Sequence, residues 1–245
     1  MKSFMRYFQF KSSFPLFSFS FGISAAHLIS ASVMSAPAAL ACAKILYPEL
    51  EQSKTNKNIN LTNKENKDEA NMIDAATRGA SSAAMIVLQI TAIVIACIAF
   101  IAFLNSIVMF LGGLVGFDEN FTFEFILGKL FIPLAYIMGV EWQECEQVGK
   151  LIGMKTAVNE FIAYRQLGLL MDQLSPRTVS ITTYALCGYA NPGSIGIQLA
   201  TFGAICPARM ADYSNLILRA FFAGSLACFM TACIAGALIE SSADL

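Results

Sequence analysis

The feature that most constrains the fold is an uncharged stretch from Gly79 to Phe117, which contains no Asp, Glu, Lys or Arg. In its core, Ala83–Leu104, Gln89 and Thr91 are the only polar interruptions. A helix that crosses the hydrocarbon core of a membrane needs about 20 predominantly apolar residues. The stretch therefore predicts a membrane-spanning helix, and its length predicts one that is tilted or extends beyond the lipid.

The composition of the whole chain also indicates a membrane protein. The chain is 56% hydrophobic and 13% charged, whereas soluble domains are about 25% charged. A net charge of −1 without a basic stripe argues against a nucleic-acid partner. The single histidine, His27, cannot form a zinc-protease motif, and no serine-hydrolase motif is present, so an enzyme is not expected. The seven cysteines form no C-x-x-C pair, and we interpret them as small buried hydrophobes.

Three other apolar segments predict further membrane helices. Ile23–Ala43 and Ala220–Ile239 are uncharged and rich in small residues, which allow neighbouring helices to approach closely. Thr178–Ala208 is the third, but the sequence Asn-Pro-Gly at 191–193 lies in its middle. Pro removes a backbone donor and Gly favours other dihedral angles, so we expect a broken helix. Such a break persists in a membrane only where the freed backbone is buried in protein or lines a cavity.

Residues 127–164 follow a different pattern. The apolar piece Leu130–Val140 is too short to cross a membrane. An acidic piece at 141–146 follows it, and a second short apolar helix then carries Lys155 and Glu160. We predict a re-entrant hairpin; a single interfacial helix followed by a loop is the alternative.

The charged segments predict the orientation in the membrane. Residues 47–78 are rich in Asn, Lys and Glu, which predicts a solvated polar loop. The Lys and Arg residues of this loop and of segment 207–219 place both in the cytoplasm. Segment 118–124 and the tail at 240–245 carry only acidic charges, so we place the C-terminus outside. Of the two glycosylation sequons, only that of Asn120 would then face the lumen.

The first 20 residues need a separate interpretation. Lys2, Arg6 and Lys11 precede an apolar, Phe-rich piece, which is the order found at the start of a signal peptide. No small-residue cleavage site separates this piece from the next apolar segment. Codons for Phe, Pro, Leu and Ser are pyrimidine-rich, so translated intron sequence before a splice acceptor, and hence an artefact of the gene model, is a second hypothesis.

Three stretches carry family motifs. The sequence G-M-K-T-A-V-N-E-F-I-A-Y at 153–164 is similar to the signature G-x-K-x-x-x-N-E-F-V-A, with Ile162 in place of Val. The sequence T-Y-A-L-C-G-Y-A-N-P-G-S-I-G-I at 183–197 resembles A-L-C-G-F-A-N-x-x-S-I-x-I, with Tyr189 in place of Phe. The third stretch is H-L-I-S-A-S-V-M-S-A-P-A at 27–38. Together they resemble the concentrative (sodium-coupled) nucleoside transporter family.

The resemblance implies an all-α polytopic membrane protein with a family domain at 21–240. Residues 1–20 would be an extension outside the family and 241–245 a short tail. Family members place a first hairpin and a first broken helix before the point where this chain begins. The chain therefore resembles the C-terminal half, the second of two inverted repeats, with a long scaffold helix, a re-entrant hairpin and a broken helix. The resemblance also implies a homotrimer in the plasma membrane.

The resemblance further implies that Glu160, Asn191 and Ser194 bind ribose and that Tyr189 forms an aromatic wall beside them. A carboxylate accepts hydrogen bonds from neighbouring hydroxyls, and charge-assisted bonds are about twice as strong as neutral ones. A charged group inside a membrane is by default a functional candidate. The alternative for Asn191 and Ser194 is that they only satisfy backbone groups freed by the helix break.

Two neighbouring residues are predicted to support this site. Asn159 would brace Glu160, and Lys155 would act as a strut of the hairpin or bind a backbone carbonyl. A Glu160–Lys155 ion pair is the alternative for both charges.

The resemblance implies sodium-coupled nucleoside symport, with sodium as co-transported ion and no cofactor. This chain would supply the ribose-binding half of the site. The sodium site, and the groups that distinguish a purine from a pyrimidine base, would lie in the other half. The alternative hypothesis is a truncated, non-transporting fragment with an assembly or regulatory role.

Overall fold

The computed structural model describes residues 22–48, 71–116 and 122–239, and the regular elements within them are helical. The α-helices, in chain order, are α1 Ala25–Leu46, α2 Met72–Val115, α3 Phe123–Leu130, α4 Ile132–Ile137, α5 Cys145–Ala157, α6 Glu160–Leu170, α7 Pro176–Leu186, α8 Pro192–Ile205 and α9 Met210–Leu238. The predicted all-α class is confirmed. The predictions for residues 1–20, for Asn60 and Asn120, and for the tail fall on residues outside the described ranges.

Three segments of the described residues are long and apolar enough to cross a membrane, namely Ala25–Leu46, Ile98–Val115 and Pro207–Leu238. They overlap three of the four predicted apolar segments. The fourth, Thr178–Ala208, is divided between two shorter helices. The helix α2 has 44 residues, which corresponds to about 66 Å at 1.5 Å per residue. This is about twice the thickness of a hydrocarbon core, as predicted for a helix that is tilted or extends beyond the lipid.

The helix α2 begins inside the segment that the sequence predicts as a polar loop, 47–78. Its first residue is Met72, so the C-terminal end of that predicted loop is helical, and the prediction is wrong there. The cause is local, because the Asn71 side chain accepts a hydrogen bond from the backbone N–H of Asp74 and caps the helix. Arg78 then pairs with Asp74 one turn away.

The re-entrant hairpin is formed by α5 and α6, and its turn lies at Val158 and Asn159. Lys155 is in the last turn of α5, whereas Glu160 is the first residue of α6. The prediction that one helix carries both residues is therefore wrong. Asn159 has an extended backbone, and its side chain accepts a hydrogen bond from an N–H of the following turn, which starts a new helix. The acidic piece at 141–146 lies at the other end of the hairpin.

Glycines set the contact between α3 and the first arm of the hairpin. A Cβ added at Gly149 would lie 2.6 Å from the backbone oxygen of Gly128, and one at Gly153 would lie 2.8 Å from the Gly128 nitrogen. Two helix backbones can approach so closely only where side chains are absent. The helix α3 is thereby packed directly against α5.

The predicted break in Thr178–Ala208 is confirmed, but it begins earlier than the Asn-Pro-Gly sequence. The helix α7 ends at Leu186, and Asn191 and Pro192 are the N-cap and first residue of α8. A proline is favoured at this first position because its missing N–H would have no helical partner. The Asn-Pro-Gly sequence therefore starts the second half-helix, and residues 187–190 form the break. Within it, Gly188 has φ +143°, which favours glycine.

The helix α9 packs against α1 and α7 and so surrounds the break with protein. The contacts use small buried residues, including Ala31, Ala185, Ala227 and Ala232. A Cβ added at Gly236 would lie 2.7 Å from the backbone oxygen of Met138. This close packing agrees with the small-residue composition of the predicted spans.

Candidate functional site

Two half-helices begin at the same place in the protein interior. Glu160 starts α6, and Asn191 caps the start of α8. The Nδ2 atom of Asn191 donates a hydrogen bond of 2.7 Å to the Oε2 atom of Glu160, and each residue is 2% exposed. The positive ends of both helix dipoles therefore point toward one buried carboxylate, which stabilises its negative charge.

The two asparagines have the same local role on the two half-helices. The Oδ1 atom of Asn191 accepts a hydrogen bond of 2.8 Å from the backbone N–H of Ser194, and that of Asn159 accepts one of 3.0 Å from the N–H of Ile162. Asn191 thus satisfies a freed backbone group with its oxygen and contacts Glu160 with its nitrogen. An amide nitrogen carries two hydrogens, and the contact with Glu160 uses one of them. Ser194 is also buried.

The C-terminal end of α7 is satisfied by side chains from three other helices. The donor–acceptor pairs are Tyr164 Oη to the Thr183 carbonyl at 2.7 Å, Lys155 Nζ to the Ala185 carbonyl at 2.8 Å, and Cys228 Sγ to the Cys187 carbonyl at 2.9 Å. The last carbonyls of a helix have no partner within that helix. These three contacts explain how the break persists away from water.

Lys155 is buried at the turn of the hairpin but does not form the alternative ion pair. The ion pairs of the described residues do not include Lys155 with Glu160. The Lys155 ammonium instead donates to the Ala185 carbonyl and lies 5.8 Å from the ring centre of Phe229. The contact is the one expected if Lys155 binds a backbone carbonyl.

Tyr189 lies in the break itself, two residues before Asn191. It is partly buried and packs against an apolar cluster that contains Leu167 and Leu186. Tyr189 is therefore close to Asn191 along the chain, and its ring packs against a cluster to which the hairpin arm α6 contributes Leu167. The four residues predicted to bind ribose thus belong to the break, to the start of α8 that follows it, or to the first residue of α6.

Comparison with known proteins identifies the family. Residues 27–236 match the family described as "Na+ dependent nucleoside transporter C-terminus". The chain belongs to this family. Solute carrier family 28 member 3 of Mus musculus is 43% identical to it over 241 residues, which cover 92% of this chain and 34% of that protein. Sodium/nucleoside cotransporter 1 of Oryctolagus cuniculus is 40% identical over 234 residues, which cover 89% of this chain and 35% of that protein.

The chain therefore spans about a third of the length of these transporter relatives. Among solved structures, a CNTnw double variant in an outward-facing state superposes with a TM-score of 0.78 at 37% identity, covering 91% of this chain and 53% of that one. CNTnw in an inward-facing, substrate-bound state gives a TM-score of 0.70 at 38% identity, covering 89% of this chain and 51% of that one. The predicted family and fold are confirmed, and these relatives are transporters rather than enzymes.

One buried polar residue of this transporter domain was not predicted from the sequence. Gln198 is 4% exposed, and its Oε1 atom has no hydrogen-bond partner among the described residues. It follows Ser194 by four positions, so the two side chains lie on the same face of α8. A polar residue at this spacing within an uncharged segment was the available signal, but the matching motif ends at Ile197.

We expect Gln198→Leu to leave the thermal midpoint of the chain unchanged or to raise it. A buried acceptor without a partner costs on the order of 1–3 kcal/mol, and an apolar side chain removes that cost. The measurement is thermal unfolding of the purified chain in detergent. Asn105→Leu is the matched control. The Asn105 side chain donates hydrogen bonds to Glu124 and accepts one from the Phe123 N–H, so this substitution should lower the midpoint. An equal fall for both variants would contradict this prediction.

Polar contacts also fix the end of α7 that is remote from the break. The Arg177 guanidinium donates hydrogen bonds to the carbonyls of Gly139, Gly236 and Ile239, at 2.6, 2.8 and 3.3 Å. Glu144 accepts hydrogen bonds from the backbone N–H and the hydroxyl of Ser175, at 2.7 and 3.0 Å. The hairpin base, the first half-helix and the end of α9 are therefore joined at one point.

We expect Arg177→Lys to lower the thermal midpoint of the chain by about 5 °C. A lysine ammonium cannot reproduce the planar fork that reaches three carbonyls, and the lost hydrogen bonds correspond to about 2 kcal/mol in a chain of this length. Arg165→Lys, at an exposed position on α6, is the control and should unfold like the wild type. A midpoint of Arg177→Lys within error of that control would show that the three contacts do not stabilise the fold.

Proposed function

We propose that the chain takes part in sodium-coupled nucleoside symport and that it supplies the ribose-binding part of the site. The observation that carries this proposal is the buried Glu160 carboxylate, bonded to Asn191 at 2.7 Å where two half-helices begin. A nucleoside is neutral and carries several hydroxyl donors on its ribose. A preorganised carboxylate can accept from two of them at once, and a dry environment strengthens these bonds.

The neighbouring groups complete a surface for ribose. The second N–H of Asn191 can donate to a ribose oxygen, and the Ser194 hydroxyl, one turn into α8, can donate or accept. Tyr189 would place an aromatic face beside the sugar or base, and its hydroxyl is a difference from the phenylalanine of the family motif. Asn159 holds the first turn of α6 and thereby the direction of Glu160.

The larger arrangement supports movement of the site as one unit. The hairpin and the broken helix are joined at the break and at the base of α7, whereas α2 is a long helix with much exposed apolar surface. We propose that α2 belongs to the scaffold and that the other helices carry the substrate. We also propose a homotrimer in the plasma membrane, with the C-terminus outside.

The direct test is uptake of radiolabelled uridine by a sodium/nucleoside cotransporter in which residues 27–236 of this chain replace the matching segment, with sodium or choline as the external cation. The proposal predicts accumulation that requires sodium. Surface biotinylation confirms that the chimera reaches the plasma membrane. A chimera at the surface that gives no sodium-dependent uptake would contradict the proposal.

A further inference from the structure

The helix break presents two opposite partial charges to the protein interior. The last carbonyls of α7 form the negative end of one half-helix, and the first N–H groups of α8 form the positive end of the other. In membrane proteins with broken helices, negative ends of this kind often coordinate a bound cation.

The structure places a side-chain ammonium there. Lys155 is 1% exposed, and its Nζ atom lies 2.8 Å from the carbonyl oxygen of Ala185 in the last turn of α7. The face of the Phe229 ring is 5.8 Å away, which is within the range of a cation–π contact. A buried ammonium without polar partners is very costly, so these contacts are its means of stabilisation.

The residues that flank the turn of the hairpin have charges opposite to those of the two helix ends at the break. Lys155 and Glu160 stand on either side of Val158 and Asn159. The cation contacts the negative end of α7 through Ala185, and the anion contacts the positive end of α8 through Asn191. The two helices that meet at this turn therefore each carry one charge near it, and each charge is paired with the end of α7 or α8 that has the opposite sign.

We propose that the Lys155 ammonium is a covalently attached cation that takes the position of a bound metal cation at the C-terminal end of α7. The break then remains open, and the charge of Glu160 remains balanced, without sodium bound at this end. This inference concerns how the break is held and goes beyond the proposed function, because it does not depend on the ligand that the site binds.

Chemical rescue of the purified full chain in detergent tests this proposal. Lys155→Ala removes the ammonium and leaves space that a small cation can fill, whereas Lys155→Met fills the space without charge. Thermal midpoints are measured in choline, sodium and ammonium chloride at equal ionic strength. We expect both variants to lose about 5 °C or more in choline chloride. Ammonium should restore at least half of the loss for Lys155→Ala and little for Lys155→Met.

The matched control is Lys150→Ala, on the same helix, where the lysine is exposed and pairs with Glu146. Its midpoint should respond to the three salts as that of the wild type does. If Lys155→Ala unfolds in choline but folds in ammonium chloride, the proposal is supported. It is overturned if Lys155→Ala has the same midpoint, or stays unfolded, in all three salts, or if Lys155→Met is as stable as the wild type.

Discussion

Glu160→Gln is expected to reduce sodium-dependent uridine uptake by about 10- to 100-fold. Glutamine keeps the size of the side chain but loses the charge and one acceptor, and a hydrogen bond to a charged group contributes about 1.5–3 kcal/mol. The variant should still reach the cell surface, because the fold around Asn191 keeps its other contacts. Initial uptake rates, normalised to surface protein, measure the effect.

Glu146→Gln is the control for this prediction. Glu146 lies on the same hairpin arm as Lys155, but it is exposed and pairs with Lys129 and Lys150. Hydrogen bonds from these two lysines lower its pKa, so the control also removes a negative charge at neutral pH. Its uptake should remain close to that of the wild type. Near-normal uptake by Glu160→Gln would remove Glu160 from the site.

Gly149→Ala is expected to cause a large loss of stability for the addition of a single methyl group. The added Cβ would lie 2.6 Å from the Gly128 oxygen and 3.2 Å from the Ile132 nitrogen, and these backbone atoms cannot move without displacing α3 and the start of α4. An overpacking cost of about 3 kcal/mol corresponds to a fall of about 6–12 °C in thermal midpoint for a chain of this length. Thermal unfolding in detergent measures it.

Gly113→Ala supplies the comparison for Gly149→Ala. Gly113 lies within α2, and a Cβ added there would meet nothing within 4 Å. Alanine is favoured over glycine inside a helix by up to about 1 kcal/mol, so this variant should be as stable as the wild type or more so. If the two alanine variants unfold at the same temperature, the close contact between α3 and α5 is not present in the protein.

The spans were predictable because length and low polarity are sufficient to specify a membrane helix. The break was predictable because Asn-Pro-Gly interrupts such a span, although that sequence starts α8 instead of ending α7. The motifs located Glu160 and Asn191, and the structure adds that they are bonded to each other. The local sequence does not predict this contact, because Glu160 and Asn191 are 31 positions apart.

Lys155 and Glu160 were predicted on one helix, although a turn separates them. The acidic residues at 141–146 are not part of this turn, and among them Glu144 binds Ser175 and Glu146 binds Lys129. The real turn at Val158 and Asn159 contains neither Gly nor Pro, and its one local signal is an asparagine suited to capping a helix. The start of α2 was missed for the same reason, because its capping Asn71 follows a low-complexity polar segment.

The most direct test of ribose recognition by Glu160 compares two ligands in two proteins. The affinities of uridine and 2′,3′-dideoxyuridine are measured by competition with radiolabelled uridine, for the wild type and for Glu160→Gln. If the carboxylate accepts the ribose hydroxyls, the wild type should prefer uridine by about tenfold or more, and the variant should lose most of this preference. The same preference in both proteins would contradict the assignment of Glu160 to ribose.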